Sequence, residues 1–346
     1  MEPVDIILSG FRELFDLSNI RVTPVPASGS DRKYFRITSD NNSFIGAYNP
    51  VPEENNAFTG FTRHFTALGL HVPELLGYLP DKHVYFVRDL GDLTLFKWLR
   101  QHGGKDASGR EVMDVFHRIL DNLVLFQTRG IEGLDLDLCF PHRSFDRQSM
   151  MWDMNYFKYM FLKLLAVPFN EKQLEHDFNS LADYLLQAGQ DYFLYRDFQS
   201  ANIMLIEGDP WFIDYQGGRK GAPQYDVASL LYDAKIGIGH ANREKLLNYY
   251  IRRFCEMTHK DELQFRSHYN GFAMIRLLQA LGTFGFRGLY EQKPTFTSSI
   301  VPGVMLLQEI IRSAEQHIPL PELYNSIRLI SDSSLFKTLT LSDSGF

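Results

Sequence analysis

The chain changes its hydrophobic pattern near residue 90, and this change limits the folds that it can adopt. Before that point, short runs rich in aromatic and β-branched residues alternate with turn residues: RVTPVPA, KYFRITSD, SFIGAYN, PELLGYLP and HVYFVRDL. One helical stripe, which follows the acidic pair Glu53-Glu54, interrupts them: Phe58, Phe61, Phe65 and Leu68. We predict that residues 20–90 form a small antiparallel sheet with one inserted helix.

After residue 90 the apolar residues recur mainly with helical spacing. Two stripes are clear, one from Val112 to Leu123 and one from Leu174 to Leu185. Helical patterns also cover further segments: 144–165, 224–236, 241–258, 264–284, 299–315 and 321–330. We therefore predict an α+β, two-lobe fold. An N-lobe (1–90) holds an amphipathic N-terminal helix and the small sheet, and a mostly helical C-lobe (91–346) lies across a cleft.

Composition excludes several classes of function. The net charge is −7 and the basic residues are scattered, so we expect no nucleic-acid surface. Cys139 and Cys255 lie far apart, which argues against a zinc site or disulfide framework and fits a reducing compartment. No segment approaches the roughly 18 apolar residues that cross a bilayer. We expect a cytoplasmic protein with a small-molecule partner; the sequence makes no prediction of oligomeric state.

The stretch DYFLYRDFQSANIMLIEGDPWFIDYQGG, residues 191–218, places polar residues between three short apolar segments. Asp197 follows the first segment, Asn202 precedes the second, and Asp214 ends the third. Two carboxylates and an amide oxygen suit Mg²⁺, and a metal bound to nucleotide phosphates beside a free carboxylate suits phosphoryl transfer. Asp-x4-Asn followed by a strand-end Asp is the protein-kinase arrangement, and the chain has no GxxxxGK[ST] loop.

The alternative for this stretch is a solvated loop with an Asp turn and an Asn cap. Each short motif alone favours that alternative, whereas the two motifs together, between a β lobe and a helical lobe, favour a kinase. We predict that Asp197 accepts the proton of the acceptor hydroxyl and that Asn202 and Asp214 hold Mg²⁺.

At these residues the chain resembles the aminoglycoside phosphotransferase and choline kinase family, which shares the protein-kinase fold. YRDFQSANIML resembles its catalytic loop and FIDYQGG its metal-binding strand end. Six segments in order resemble the bacterial N-acetylmuramate/N-acetylglucosamine anomeric sugar kinases: SDRKYFRI, GLHVPELLGY, VRDLGDLTL, FDRQSMMWDMNYF, IDYQGGRKGAPQYDVASLLYD and IRLLQALGTF. The resemblance implies ATP-dependent phosphorylation of an amino sugar in cell-wall recycling.

The resemblance also implies roles for individual residues. Asp197 matches the catalytic base, and Asn202 and Asp214 match the Mg²⁺ ligands. Glu53 or Glu54 matches the acid of the N-lobe helix. The remaining matches bind ATP, through a loop over the phosphates and a hinge that receives adenine: Ser28, Gly29, Ser30, Arg32 and Lys33 in the loop, Asp89 and Leu90 in the hinge.

Two departures from the family pattern bear on function. Ala47 stands where kinases place the phosphate-binding lysine, so another cation must neutralise the phosphates. The nearest in sequence are Arg32, Lys33 and Arg36. Tyr195 begins the catalytic loop in place of the usual histidine, and we expect it to fill the same space.

The acceptor pocket is the least constrained part of the prediction. Asp153, Asn155 and Arg276 are its candidate residues, with a solvated helix face or a structural partner as the alternative. Arg196 either pairs with a carboxylate behind the site or lies on the surface. We expect Asp226 to cap the following helix or to brace the catalytic loop.

Two other functions remain open. A kinase for a cationic acceptor such as an aminoglycoside or choline needs an acidic pocket, for which Glu132, Asp135 and Asp137 are the available cluster; a methylthio-sugar is a further acceptor. The chain could also be a catalytically dead pseudokinase that binds a nucleotide or a partner. The missing strand lysine favours that reading, and the Asp197, Asn202 and Asp214 set argues against it.

Overall fold

The N-terminal region is a five-stranded antiparallel sheet with one helix on each face. The computed structural model describes residues 2–26, 32–39, 42–102 and 107–343. The sheet has the order β1-β2-β3-β5-β4. Its elements agree with the prediction for residues 20–90 and are, in chain order: α1 (Pro3–Leu14), β1 (Arg21–Val25), β2 (Lys33–Ser39), β3 (Asn42–Tyr48), α2 (Pro52–Ala67), β4 (Leu75–Leu79) and β5 (Val84–Arg88).

The two faces of this sheet have different roles. On the outer face, alternate strand residues such as Ile37 and Phe86 pack against Ile7 and Phe11 of α1 in a small separate core. On the inner face, the sheet packs against α2 and becomes part of the main core of the chain. The inner face therefore borders the cleft.

The C-terminal region is mostly helical, with two short antiparallel strand pairs at its contact with the sheet. The pairs are β6–β9 and β7–β8. Its elements are α3 (Leu95–His102), α4 (Arg110–Thr128), α5 (Arg147–Phe157), α6 (Glu171–Leu185), β6 (Tyr192–Leu194), β7 (Ile203–Ile206), β8 (Asp209–Phe212), β9 (Arg219–Gly221), α7 (Gln224–Leu231), α8 (His240–Thr258), α9 (Glu262–Phe284), α10 (Pro294–Thr297), α11 (Ile300–Ala314), α12 (Pro321–Leu329) and α13 (Ser334–Asp343).

Helix α2 joins the two regions. The Phe58 ring stacks on Tyr85 of the sheet at 4.5 Å and on Tyr215 of the C-terminal region at 5.1 Å, centroid to centroid. The hydroxyls of Thr62 and Tyr215 lie 2.6 Å apart, within hydrogen-bonding distance. Because protein interiors are close-packed, these contacts hold α2 in a fixed position relative to Tyr215, the residue that follows Asp214.

Several short elements were not predicted. The sequence analysis missed α3, β9, α10 and α13, and the helix predicted over 144–165 changes at residue 158 into a π-helical segment, Lys158–Leu162. A second π-helical segment, Gly285–Tyr290, packs against it; a side chain at Gly285 would begin 1.8 Å from the carbonyl oxygen of Met160. Within the described residues, no helix has the length and apolarity that a membrane span requires.

Candidate active site

The predicted catalytic loop follows β6, and the buried carboxylate of Asp226 holds its first residues in place. Asp226 accepts hydrogen bonds from the backbone N–H groups of Tyr195 at 2.7 Å and Arg196 at 2.9 Å, and from Gln127 at 3.3 Å. Burial raises the pKa of Asp226 to about 7, although these hydrogen bonds act to lower it. Asp226 lies in the first turn of α7 and makes no helix cap. Asp226 therefore braces the catalytic loop, which is the second of its two predicted roles.

Tyr195 ties the predicted catalytic loop to the segment that leads into Asp214, the predicted metal ligand. Its ring is 1 % exposed and packs edge-on against Phe126 and Phe198. Its hydroxyl donates to the carbonyl oxygen of Ile213 at 2.7 Å, one residue before Asp214. The tyrosine therefore supplies both packing and a hydrogen bond where the family has histidine.

Asp197, Asn202 and Asp214 meet at one point, as the sequence predicts. The Nδ2 atom of Asn202 donates to the carbonyl oxygen of Asp197 at 3.0 Å and to Oδ2 of Asp214 at 3.1 Å. Asp214 has φ +69°, a left-handed conformation that is strained for most residues and tolerated by aspartate. The strained backbone directs its carboxylate toward Asn202.

These donors fit a magnesium ion that is bound together with a nucleotide. With Nδ2 committed, Asn202 offers Oδ1, and Asp214 offers a carboxylate whose side chain is 37 % exposed. Over the described ranges, no three His, Cys, Asp or Glu residues form a metal cage. A Mg²⁺ ion held here would take its further ligands from phosphate oxygens and water, which is the usual way that proteins bind Mg²⁺.

The charges around Asp197 suit a general base that ionises more readily when a cation binds nearby. Burial raises the pKa of Asp197, and the negative charge of Asp214 raises it further. The positive charges of Arg196, Arg276 and Arg219 oppose that shift. A divalent cation between Asn202 and Asp214 would also favour the ionised base, so metal binding and proton acceptance are linked.

Across the cleft, Arg32 occupies the place of the missing lysine. Its side chain is 2 % exposed, and its Nη2 atom lies 2.7 Å from Oε2 of Glu54. Its Nη1 atom donates to the Tyr34 hydroxyl at 2.9 Å and lies 3.8 Å from Oδ1 of Asp214. Glu54 is further held by Asn49 at 2.9 Å. The ion pair that kinases form between a strand lysine and a helix glutamate is formed here by Arg32 and Glu54.

The strand register shows why Ala47 does not provide this charge. Tyr34, Ala47 and Tyr85 are direct neighbours on β2, β3 and β5, so their side chains share the cleft face. Ala47 is fully buried between the two tyrosines. A lysine there would have to pass between two aromatic rings, whereas Arg32 reaches the same region from the end of β2.

The other two basic candidates do not join this cluster. Lys33 is exposed and, by strand alternation, belongs to the face that packs on α1. Arg36 lies on the cleft face, but its guanidinium binds Asp89 at 2.6 Å and Asp92 at 3.0 Å. Among the three cations, only Arg32 is in reach of the metal-binding residues.

The predicted nucleotide contacts outside this cluster stay predictions. Asp89 and Leu90 are partly buried at the end of the sheet, and Asp89 also accepts from the Ser43 hydroxyl at 2.5 Å. These contacts stiffen the hinge that the chain follows into the C-terminal region. Ser28, Gly29 and Ser30 lie outside the described residues.

Asp153 forms an ion pair within the protein, and its predicted contact with the acceptor stays a prediction. Its two carboxylate oxygens accept from Arg196 at 2.7 and 2.6 Å, and its side chain is 8 % exposed. Arg196 also donates to the Tyr225 hydroxyl at 2.7 Å. Since this bidentate pair uses both oxygens, Asp153 positions Arg196, the residue next to the base.

The other acceptor candidates lie on two facing helices. Arg276 of α9 donates to the Ser229 hydroxyl at 2.8 Å and to Gln279 at 2.7 Å, and Gln279 donates to Thr283 at 3.3 Å. Asn155 is partly buried on α5, which packs closely against α9. A polar stripe therefore runs along an otherwise buried helix, from the vicinity of Asp197 outward.

Sequence reasoning missed two residues that shape the site. Asp233 holds the catalytic loop from its far end, because it accepts from the backbone N–H of Ser200 at 3.0 Å and from its hydroxyl at 2.6 Å. Arg219 is 7 % exposed, and its charge acts on Asp197. Neither residue belongs to a recognised motif. Asp233 comes just after α7 and Arg219 comes five residues after Asp214, and the importance of these positions is visible only once the fold is known.

Residues 21–266 match the model of the family described as "Phosphotransferase enzyme family". The chain belongs to this family. A relative from Pseudomonas aeruginosa, named N-acetylmuramate/N-acetylglucosamine kinase, is 25 % identical over 66 % of this chain and 65 % of its own length. A relative of the same name from Neisseria meningitidis serogroup B is 27 % identical over 62 % of each chain. The matches thus span slightly under two thirds of each relative's length.

The comparison with solved structures shows the same fold at a low sequence identity. The crystal structure of choline kinase from Cryptosporidium parvum Iowa II covers 93 % of this chain and 99 % of its own, with a TM-score of 0.61 and 13 % identity. The two-lobe, kinase-like fold predicted from the sequence is confirmed, and so is the family that it resembles.

Proposed function

We propose that the protein transfers the terminal phosphoryl group of Mg²⁺-ATP to the anomeric hydroxyl of an N-acetylated amino sugar in the cytoplasm. The observation that carries the proposal is the proximity of Asp197, Asn202 and Asp214 to one another and to the buried Arg32, which pairs with Glu54. The names of the two relatives support an amino sugar as the acceptor.

Each residue of the site then has a distinct task. Asn202, through Oδ1, and Asp214 would hold Mg²⁺, which neutralises phosphate charge when bound. Arg32, fixed by Glu54, would bind a phosphate oxygen. Asp197 accepts the proton of the acceptor hydroxyl. An anomeric hydroxyl is more acidic than an ordinary alcohol, so a single carboxylate base suits it.

The alternative functions have weaker support from the structure. The acidic cluster that would recognise a cationic acceptor, Glu132, Asp135 and Asp137, is exposed. Within it, Asp135 caps a short helical turn and Asp137 pairs with Arg143. The pseudokinase reading rested on the missing lysine, and Arg32 supplies a cation in its place.

A panel of acceptors tests the proposed substrate. We expect phosphorylation of N-acetylglucosamine or N-acetylmuramate at carbon 1, detected by phosphorus–proton correlation in NMR. Glucose should be far poorer because it leaves groups that bind the acetamido substituent unpaired, at about 1–3 kcal/mol per group. Phosphate on carbon 6, or turnover of only amino alcohols or aminoglycosides, would reject the sugar assignment and keep the family.

Substitution of Arg32 tests the replacement for the lysine. Arg32→Met removes the charge near the phosphates and should lower kcat/KM for ATP by about 10²–10³-fold, the usual loss when one preorganised donor is removed. Lys33→Met is the matched control, since it removes the neighbouring charge from the opposite face of the strand. Equal losses in both variants, measured in proteins of similar melting temperature, would contradict the assignment.

A further inference from the structure

Two buried arginines near Asp197 differ from the other buried arginines of the protein. Of the other buried arginines in the described residues, Arg32 pairs with Glu54 and Arg243 pairs with Glu309; the partly buried Arg196 pairs with Asp153. Arg219 and Arg276 are 7 % and 8 % exposed and have no such ion pair in the described part of the chain. Their hydrogen bonds go to neutral acceptors only.

The neutral contacts hold both side chains in place. Arg219 donates from Nε to the carbonyl oxygen of Gly217 at 3.0 Å and from Nη2 to that of Phe140 at 3.2 Å. Its Nη1 group has no hydrogen-bond acceptor among residues 2–26, 32–39, 42–102 and 107–343. For Arg276, the donating atoms are Nε and Nη1, as described above.

Both arginines lie beside the reacting position rather than on it. Gly217, whose carbonyl anchors Arg219, is so close to the base that a side chain there would begin 3.8 Å from Oδ2 of Asp197. The charges of Arg219 and Arg276 act on Asp197, yet neither is hydrogen-bonded to it in the structure. Their anchoring residues all belong to the helical lobe.

A buried guanidinium that hydrogen-bonds only to neutral acceptors is costly, and an anion that binds to two of them recovers part of that free energy. Burial, followed by the charge of Arg196, lowers the pKa of Arg219, although the negative charges of Asp153 and Asp197 act to raise it. In the proposed function, the phosphates of the nucleotide would be bound by Arg32, whose Nη1 atom lies 3.8 Å from Oδ1 of Asp214.

We propose that Arg219 and Arg276 bind an anionic substituent of the acceptor, a carboxylate, beside the hydroxyl that Asp197 deprotonates. The inference rests on the proposed function and makes it more specific: of the two sugars named for the relatives, this chain prefers the one that carries an acid. Arg219 and Arg276 are then specificity-determining residues, and Asp197 remains the base.

The test compares acceptors that differ in one charge. We expect kcat/KM for N-acetylmuramate to exceed that for its methyl ester, and for N-acetylglucosamine, by at least about tenfold, the scale of a charge-assisted contact. Arg219→Gln and Arg276→Gln should each reduce this ratio toward one, and Arg276→Lys should restore part of it. Arg312→Gln, which removes an exposed arginine from α11, should leave the ratio unchanged.

The outcomes separate this inference from the proposed function. Equal kcat/KM for acid and ester in the unmutated protein would overturn the anion site, as would variants that lower both values in proportion. If neither sugar is phosphorylated, the proposed function fails. Calorimetry on the ADP–Mg²⁺ complex then decides the inference, with glucuronate against glucose and N-acetylmuramate against its ester. Tighter binding of an acid that depends on Arg276 supports the site, and equal binding in both pairs rejects it.

Discussion

Asp197→Asn is expected to reduce turnover by about 10²–10⁴-fold, the usual contribution of a general base. The substitution keeps the size of the side chain and removes its capacity to accept a proton. ATP affinity should stay near that of the unmutated protein, because Asn202 and Asp214 are unchanged. Single-turnover kinetics and nucleotide binding, measured on the same preparation, separate the two effects.

A nearby aspartate provides the control. Asp191 immediately precedes β6, has an 85 % exposed side chain, and pairs with Lys220 across the strand pair. Asp191→Asn removes the same charge from the same region, and we expect it to leave turnover within about twofold because exposed pairs contribute little. An Asp197→Asn variant with unchanged turnover would remove this residue from the mechanism.

The parts of the site that were predictable are those whose residues are close in sequence. Asp197 and Asn202 are separated by one loop, and Asp214 follows the partner strand of the next hairpin, so strand pairing alone brings them together. The fold was predictable for a similar reason. The change from β to helical patterning near residue 90 needs only local periodicity to be seen.

The features of the site that could not be predicted depend on contacts between residues far apart in sequence. Arg32 and Lys33 are adjacent, and only the register of β2 against β3 decides which one faces the cleft. The ion pair between Asp153 and Arg196 joins residues that are 43 positions apart, so the sequence alone could not show it. Short elements such as α3 and β9 carry too few residues to show a period, so their existence follows from packing and not from pattern.

Asp214 is the proposed Mg²⁺ ligand whose removal should have the largest effect. Asp214→Ala should abolish turnover and make ATP affinity independent of Mg²⁺, because Asn202 Oδ1 alone cannot hold a divalent ion. Asp209→Ala on the same hairpin removes an exposed acid and is the matched control. Calorimetric titration of ATP with and without Mg²⁺ gives the readout independently of catalysis. If the unmutated protein binds ATP equally well in both conditions, Asn202 and Asp214 are not metal ligands, and the Arg32–Glu54 pair would then serve a nucleotide-binding pseudokinase.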